Sequence, residues 1–376
     1  MTERKKGMDK LQSLLKNEEK AVFVLRSLYG KYGYLPYKMS KFEEYELYVR
    51  NKDFLVSDSV ITFNDTNGRL LALKPDVTLS IVKNYVDEPG VTQKLFYNEN
   101  VYRVSARTHT YKEIMQTGLE CIGDIDLYDI AEVVNLSLES LGEIGGEFVL
   151  DLSHLGVLSA LLDETDADES LKKQIMHCIS EKNRHELALI CEENAIDAGL
   201  TEMLVDFVSV YGTPEAVIET LRKMCINETM KEVIDELESI CGLLNNSRYS
   251  DKINLDFSIV NDMNYYNGIV FKGFINGIPE SVLSGGQYDK LMKKMGKRAK
   301  AIGFAVYLDL LEQTGTKKQT DVDTLVLYSE KSDLQKLSRF ITEKTSKGES
   351  VSAQRKIPQK LRYKTLIDFD KEENAQ

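Results

Sequence analysis

The sequence has no uninterrupted apolar run of about 18 residues, so no bilayer-spanning helix is expected. Its opening, MTERKKGMDKLQSLLKNEEK, is charged and lacks the apolar core of about 7–15 residues that marks a secretory signal. Five cysteines, Cys121, Cys178, Cys191, Cys225 and Cys241, lie far apart without CxxC spacing. Reduced, mostly buried thiols in a cytoplasmic protein are expected. His109, His154, His177 and His185 lack metal-ligand spacing, so structural or surface roles are expected, and no metal. Neither GxGxxG nor GxxxxGK(S/T) occurs, which removes the two commonest nucleotide cradles. Positive charge is in deficit: 48 Lys and Arg against 60 Asp and Glu give a formal net charge of −12. Such a chain gains nothing from the counterion release that drives nucleic-acid binding. The densest basic stretch, KKMGKRAKA from Lys293, reads as a solvated face.

What is present is a soluble globular composition, 42% hydrophobic and 29% charged over 376 residues, long enough for two or three domains. Val22, Leu25, Leu28 and Tyr29 follow helical spacing and predict a helix over 17–32. VITFNDTNGRLLAL reads as a hairpin turning at Asn67-Gly68, with Pro75 opening a helix through Lys83. KLFYNENVYRV and EIMQTGLECIG read as strands joined by a polar loop, with a helix over 130–141 behind them. From 158 to 247 the text turns helical and acidic, which predicts a helical insertion. Strands resume at Ile253, and IVFKGFINGIPESVLSGG predicts a hairpin turning at Asn276-Gly277. A helix over 288–295 and a strand in AIGFAVYLDLLEQ follow. The expected architecture is α+β: an antiparallel sheet flanked by helices, formed by 1–157 and 248–315. The insertion occupies 158–247, and a short α/β tail occupies 316–376.

EIMQTGLECIG carries the most information. Alternation puts Met115, Thr117, Leu119 and Cys121 on one face and Gln116, Gly118 and Glu120 on the other. The second face sets an amide and a carboxyl about 13 Å apart, at about 3.3 Å per residue, with Gly118 leaving room between them. That face is either solvated or turned to a ligand. Arg103 sits at a strand end, where it forms either a surface ion pair or a clamp for a carboxylate or phosphate. Asp76 and Thr78 follow Pro75 at a helix start, where capping accounts for them. The glycines of SGGQYDKL allow either an anion contact or tight packing.

In order, LALKPDVT, NVYRVSAR, QTGLE, MNYYNGIVF and SGGQYDKL…AIGFAVYLDLL resemble the class II histidyl-tRNA synthetase catalytic core over roughly 20–312. The resemblance implies a dimer, and a pocket around the amino acid formed by Asp76 (a shortened glutamate), Thr78, Arg103, Gln116, Glu120, Tyr265 and Tyr266. Gly33-Tyr34 and Glu43 also fit its first motif, although Ser40 replaces a proline. Other departures fall on the triphosphate side. Asn261 takes the place of an arginine that steadies the α-phosphate, Ser105 that of a glutamate and Lys112 that of an arginine. Asp309-Leu310 replaces the glutamate-arginine pair of the third motif. Each lost donor lowers such a rate by about 10²–10³.

Pocket kept, activation lost, anticodon domain shortened: the profile resembles the ATP phosphoribosyltransferase regulatory subunits of histidine biosynthesis, a family of synthetase paralogues. That resemblance implies no catalytic residues and no cofactor. It also implies a homodimer within a hetero-oligomer with the short-form catalytic subunit, a histidine-like ligand, and neither tRNA nor membrane as partner. The rival expectations are a divergent histidyl-tRNA synthetase and a pseudo-synthetase of another pathway.

Overall fold

A computed structural model of the chain describes residues 15–55, 60–104, 109–259, 265–314 and 320–373. Ser105 and Asn261, two of the substituted positions, lie outside them. Contacts divide the chain into two compact units, 1–314 and 315–376.

The first unit is built on a nine-stranded sheet. It comprises β1 (Leu35–Pro36), β5 (Gln93–Val104), β6 (Tyr111–Gly123), β7 (Phe148–His154), β8 (Tyr211–Gly212), β9 (Ile253–Asp256), β10 (Ile269–Ile275), β11 (Leu283–Gln287) and β12 (Lys300–Tyr307). Their order is β1-β5-β6-β12-β11-β10-β7-β9-β8. The expected antiparallel pairing holds from β5 to β7 and for β9–β8, but β1–β5 and β7–β9 are parallel. The parallel pairs are a correction with a topological cause, since strands joined through intervening helices can return in the same direction. A side sheet, β2 (Phe42–Glu44), β3 (Thr62–Asn64) and β4 (Leu70–Leu73), has order β2-β4-β3. Its β3–β4 hairpin turns at Gly68, whose φ of 77° suits glycine.

Alternation along β6 separates two cores. Leu119 and Cys121 pack with helix Leu127–Ile144 and helix Asn17–Lys31 through Val133, Leu136, Leu25 and Tyr29. Helix Leu127–Ile144 starts where Asp126 Oδ1 accepts from Tyr128 N (2.8 Å) and Asp129 N (3.1 Å). The opposite face carries Tyr97, Val101, Val77, Leu79 and Tyr288. There helix Thr78–Asn84 begins three residues after Pro75, later than the sequence suggests. Asp76 Oδ1 accepts from Leu79 N at 2.9 Å, so the chain turns at Asp76 before the helix closes.

Between β7 and β9 the chain forms helices Leu155–Asp163, Glu169–Ser180, Arg184–Glu193, Ala198–Phe207, Pro214–Lys223 and Glu228–Leu244, with β8 inserted among them. Ile175, Leu187, Leu204, Leu221 and Leu237 give these helices their buried stripe. Among the described residues no helix is long and apolar enough to cross a membrane. Cys121, Cys178, Cys191 and Cys241 are buried, Cys225 is partly exposed, and all five are free.

The second unit is a parallel sheet of order β14-β13-β15, comprising β13 (Val322–Leu327), β14 (Val351–Gln354) and β15 (Tyr363–Asp368). Its core is Val326, Leu337 and Phe369. Helix Leu334–Ser346 is capped by Asp333 and connects β13 to β14, a short strand that the sequence pattern does not announce.

Candidate functional site

Strand register builds the floor of the site. On the face opposite the first core, Glu120 stands beside Gly303 and Gly286, Gly118 beside Ala305 and Ser284, and Gln116 beside Tyr307. Ser284 of β11 and Gly303 and Ala305 of β12, all small, border a hollow of about 250 Å³. Given about 30 Å³ per water molecule, that is room for roughly eight waters or one small metabolite. Asp76, Thr78, Arg103, Gln116, Glu120, Tyr265 and Tyr266 all border this one hollow. Both loop and strand positions singled out in the sequence therefore converge, although they span 190 residues of chain (266 − 76).

Glu120 lies at the bottom, 2% exposed. Thr78 Oγ1 donates to its Oε1 at 2.8 Å, and the Tyr288 hydroxyl donates to Oε2 at 2.6 Å. Burial pushes its carboxyl up to about 8, the two hydrogen bonds pull it down, and the charge of Asp76 raises it again. Burial likewise raises Asp76, against the Leu79 amide and the Arg103 guanidinium, which favour its ionised form. The space for Glu120 depends on Gly303: a Cβ there would sit 1.8 Å from Glu120 Oε2.

Gly118 has a role the sequence did not reveal. An added Cβ would come 2.5 Å from the Tyr97 hydroxyl oxygen, so the group lying across this glycine is the chain's own Tyr97. The expected solvated alternative fails as well, because Gln116 is only 3% exposed. Its side-chain amide makes no hydrogen bond among the described residues and borders the hollow. Arg103 borders the hollow as well, and its Nε donates to Pro75 O at 2.9 Å.

The walls are aromatic. The Tyr265 ring packs edge-on against Tyr266 (4.7 Å between centroids) and Phe54 (6.1 Å), and lies 6.0 Å from Tyr288. Tyr97, Tyr288, Phe54 and Gly303 were not picked out from the sequence. Tyr97 is in phase with Arg103 along β5, and Tyr288 stands inside the quoted SGGQYDKL, where the glycines drew attention instead. Those glycines are packing devices: a Cβ at Gly285 would lie 2.5 Å from Gly303 O, and one at Gly286 2.7 Å from Ile269 O. Both belong to β11, and the helix begins only at Asp289, so the anion alternative fails.

Among the described residues bordering the hollow, Asp53, Asp76 and Glu120 are acidic and Arg103 is the one cation. Asp309 and Leu310 lie in the turn Leu308–Thr314 after β12 and are not on its border. A dicarboxyl, tyrosine-walled hollow suits a small cation. The same charge balance disfavours a triphosphate. No group of three or more His, Cys, Asp or Glu that could hold a metal occurs among the described residues.

A family model described as histidyl-tRNA synthetase matches residues 8–311, most of the chain. The chain belongs to the histidyl-tRNA synthetase family. Within reach of this family member, the ATP phosphoribosyltransferase regulatory subunit of Oceanobacillus iheyensis is 29% identical over 290 residues, covering 76% of this chain and 71% of its own. Among solved structures, one from Bacillus halodurans C, titled an ATP phosphoribosyltransferase regulatory subunit/histidyl-tRNA synthetase, is similar with a TM-score of 0.76 at 24% identity, over 94% of this chain and 93% of that one. A chain of the ATP phosphoribosyl transferase (HisG:HisZ) complex from Thermotoga maritima is similar with a TM-score of 0.61 at 23% identity, over 77% and 97%. The synthetase-like fold is thus shared by chains whose names carry both roles.

Proposed function

We propose that this family member is a regulatory subunit of ATP phosphoribosyltransferase in histidine biosynthesis, and that its hollow holds a histidine-like amino acid without activating it. The observation that carries the reading is the lining of the hollow: among the described residues, three carboxyl groups to one arginine around a buried Gln116 whose amide makes no hydrogen bond. An amino acid offers an ammonium to Asp76 and Glu120, a flat ring to Tyr265 and Tyr266, and polar atoms to Gln116 and Arg103. Adenylation needs preplaced cations for the α-phosphate, and one arginine beside three carboxyl groups, as the described residues have it, is poorly suited to that.

In this reading the chain carries no catalytic residue of its own. It assembles as a homodimer with the short-form catalytic subunit and takes neither tRNA nor a membrane as partner. Ligand binding alters the catalytic subunit only if the hollow has different affinities in two states of the complex, a coupling of about 1–3 kcal/mol. The names of the curated relatives and the complex from Thermotoga maritima support the assembly.

The reading is tested by mixing the purified chain with a short-form catalytic subunit. Co-elution and a gain in phosphoribosyl transfer, suppressed by histidine, are expected. Separate elution with no gain overturns the reading. The match to a synthetase family model keeps one rival in play, a divergent histidyl-tRNA synthetase. Histidine-dependent ATP–pyrophosphate exchange by the chain alone would decide for that rival.

A further inference from the structure

The floor of the hollow continues beyond the residues discussed so far. Along the row Gly118, Ala305, Ser284, the next residue is Lys272 of β10, directly opposite Ser284, followed by Asp151 of β7. Directly opposed residues share a sheet face, so Lys272 rises from the same surface as Ser284. Lys272 borders a small pocket of about 10 Å³ together with Ser284 and Tyr266, and both of these also border the large hollow. The two spaces share a wall.

Lys272 is half-buried, and its ammonium has no hydrogen bond or ion pair among the described residues. Its cross-strand neighbour Asp151 makes no ion pair with it: Asp151 Oδ1 has no hydrogen-bond partner among the described residues, and the carboxyl interacts with Asn254 and Lys182 instead. A half-buried unpaired ammonium is unfavourable, and one that borders a ligand space gains when an anion arrives. The four-carbon stem is long enough to cross one strand spacing of about 4.8 Å, and so to overhang Ser284. Arg103 is placed differently. It comes from β5, four strand positions from β10, has its Nε on Pro75 O, and faces the charge of Asp76.

We propose that Lys272 anchors the carboxylate of the bound amino acid, reaching over Ser284 while the cationic part of the ligand lies toward Asp76 and Glu120. This rests on the amino-acid reading of the hollow and adds a specificity residue to it. Lys272 then selects for an α-amino acid over the corresponding amine.

The test is calorimetric titration of the full chain with histidine and with histamine, which lacks only the carboxylate, in wild type, Lys272→Met and Lys272→Arg. Removing a charged contact is expected to weaken histidine about tenfold or more in Lys272→Met, with histamine affinity unchanged and Lys272→Arg retaining most of the histidine affinity. Equal effects on both ligands, or no effect on histidine, overturn the role of Lys272 while leaving the amino-acid reading intact. Wild type that binds no histidine removes that reading, and this inference with it.

Discussion

Tyr288 donates its hydroxyl hydrogen to Glu120 Oε2 at 2.6 Å across 168 residues of sequence. This contact joins the start of helix Asp289–Lys294 to the middle of the sheet and closes the bottom of the hollow. It also fixes the direction in which the Glu120 carboxyl faces, because Thr78 holds the other oxygen.

Glu120 makes the stability of the protein pH-sensitive. Its folded carboxyl titrates near 8, above the ordinary 4.5, so the folded state holds a proton that the unfolded chain has lost. The stability this contributes is complete below about pH 4.5 and is lost as pH rises toward 8. Asp76 and Asp151, both raised by burial, act in the same direction. Denaturant unfolding of wild type is expected to show falling stability from pH 5 to pH 8.5. Glu120→Gln is expected to flatten that fall, by an amount on the order of a few kcal/mol. Parallel pH curves for the two proteins would contradict the assignment.

Gln116→Leu separates stability from binding. The amide has no partner among the described residues, so replacing it by an apolar group of similar size is expected to leave unfolding stability unchanged or higher, within about 1 kcal/mol. Histidine affinity is expected to fall in the same variant. Loss of stability without loss of affinity would make Gln116 a structural residue.

Gly303→Ala tests the floor. The new methyl group would meet Glu120 Oε2 at 1.8 Å and Leu119 O at 2.6 Å, and the second of these is backbone that cannot swing away. A destabilisation of about 1–3 kcal/mol is expected in thermal unfolding, with weakened histidine binding. A variant as stable as wild type would show that Glu120 has another position available.

Lys74 ties the Pro75-Asp76 segment to β5: its side chain is fully buried, and Nζ lies 3.0 Å from Glu99 Oε2. Glu99→Ala leaves that ammonium buried without its partner. A loss of about 3–5 kcal/mol is expected in denaturant unfolding. A loss below about 1 kcal/mol would mean that Lys74 finds solvent readily.

Much of this was legible in the residues themselves. Alternation in EIMQTGLECIG assigned Gln116 and Glu120 to one face, and the Asn-Gly steps located both hairpins. What alternation along one strand cannot give is which strand lies alongside. The pairing of Glu120 with Gly303 depends on a partner 183 positions away (303 − 120). For the same reason a single strand shows Gly118 as open space although Tyr97 lies over it, and gives no sign that Tyr288 reaches Glu120. The strands β1 and β8, two residues each, are too short for any periodic signal. Helix Thr78–Asn84 starts late because Asp76 first bonds to Leu79 N, a contact that the Pro75 signal alone does not reveal.

The most direct measurement is an equilibrium calorimetric titration of the purified chain with histidine, without ATP, in wild type and Glu120→Ala. The account predicts saturable binding in wild type and a loss of about 1.5–3 kcal/mol of binding free energy in the variant. No binding heat in wild type, or equal affinities in the two proteins, would contradict it.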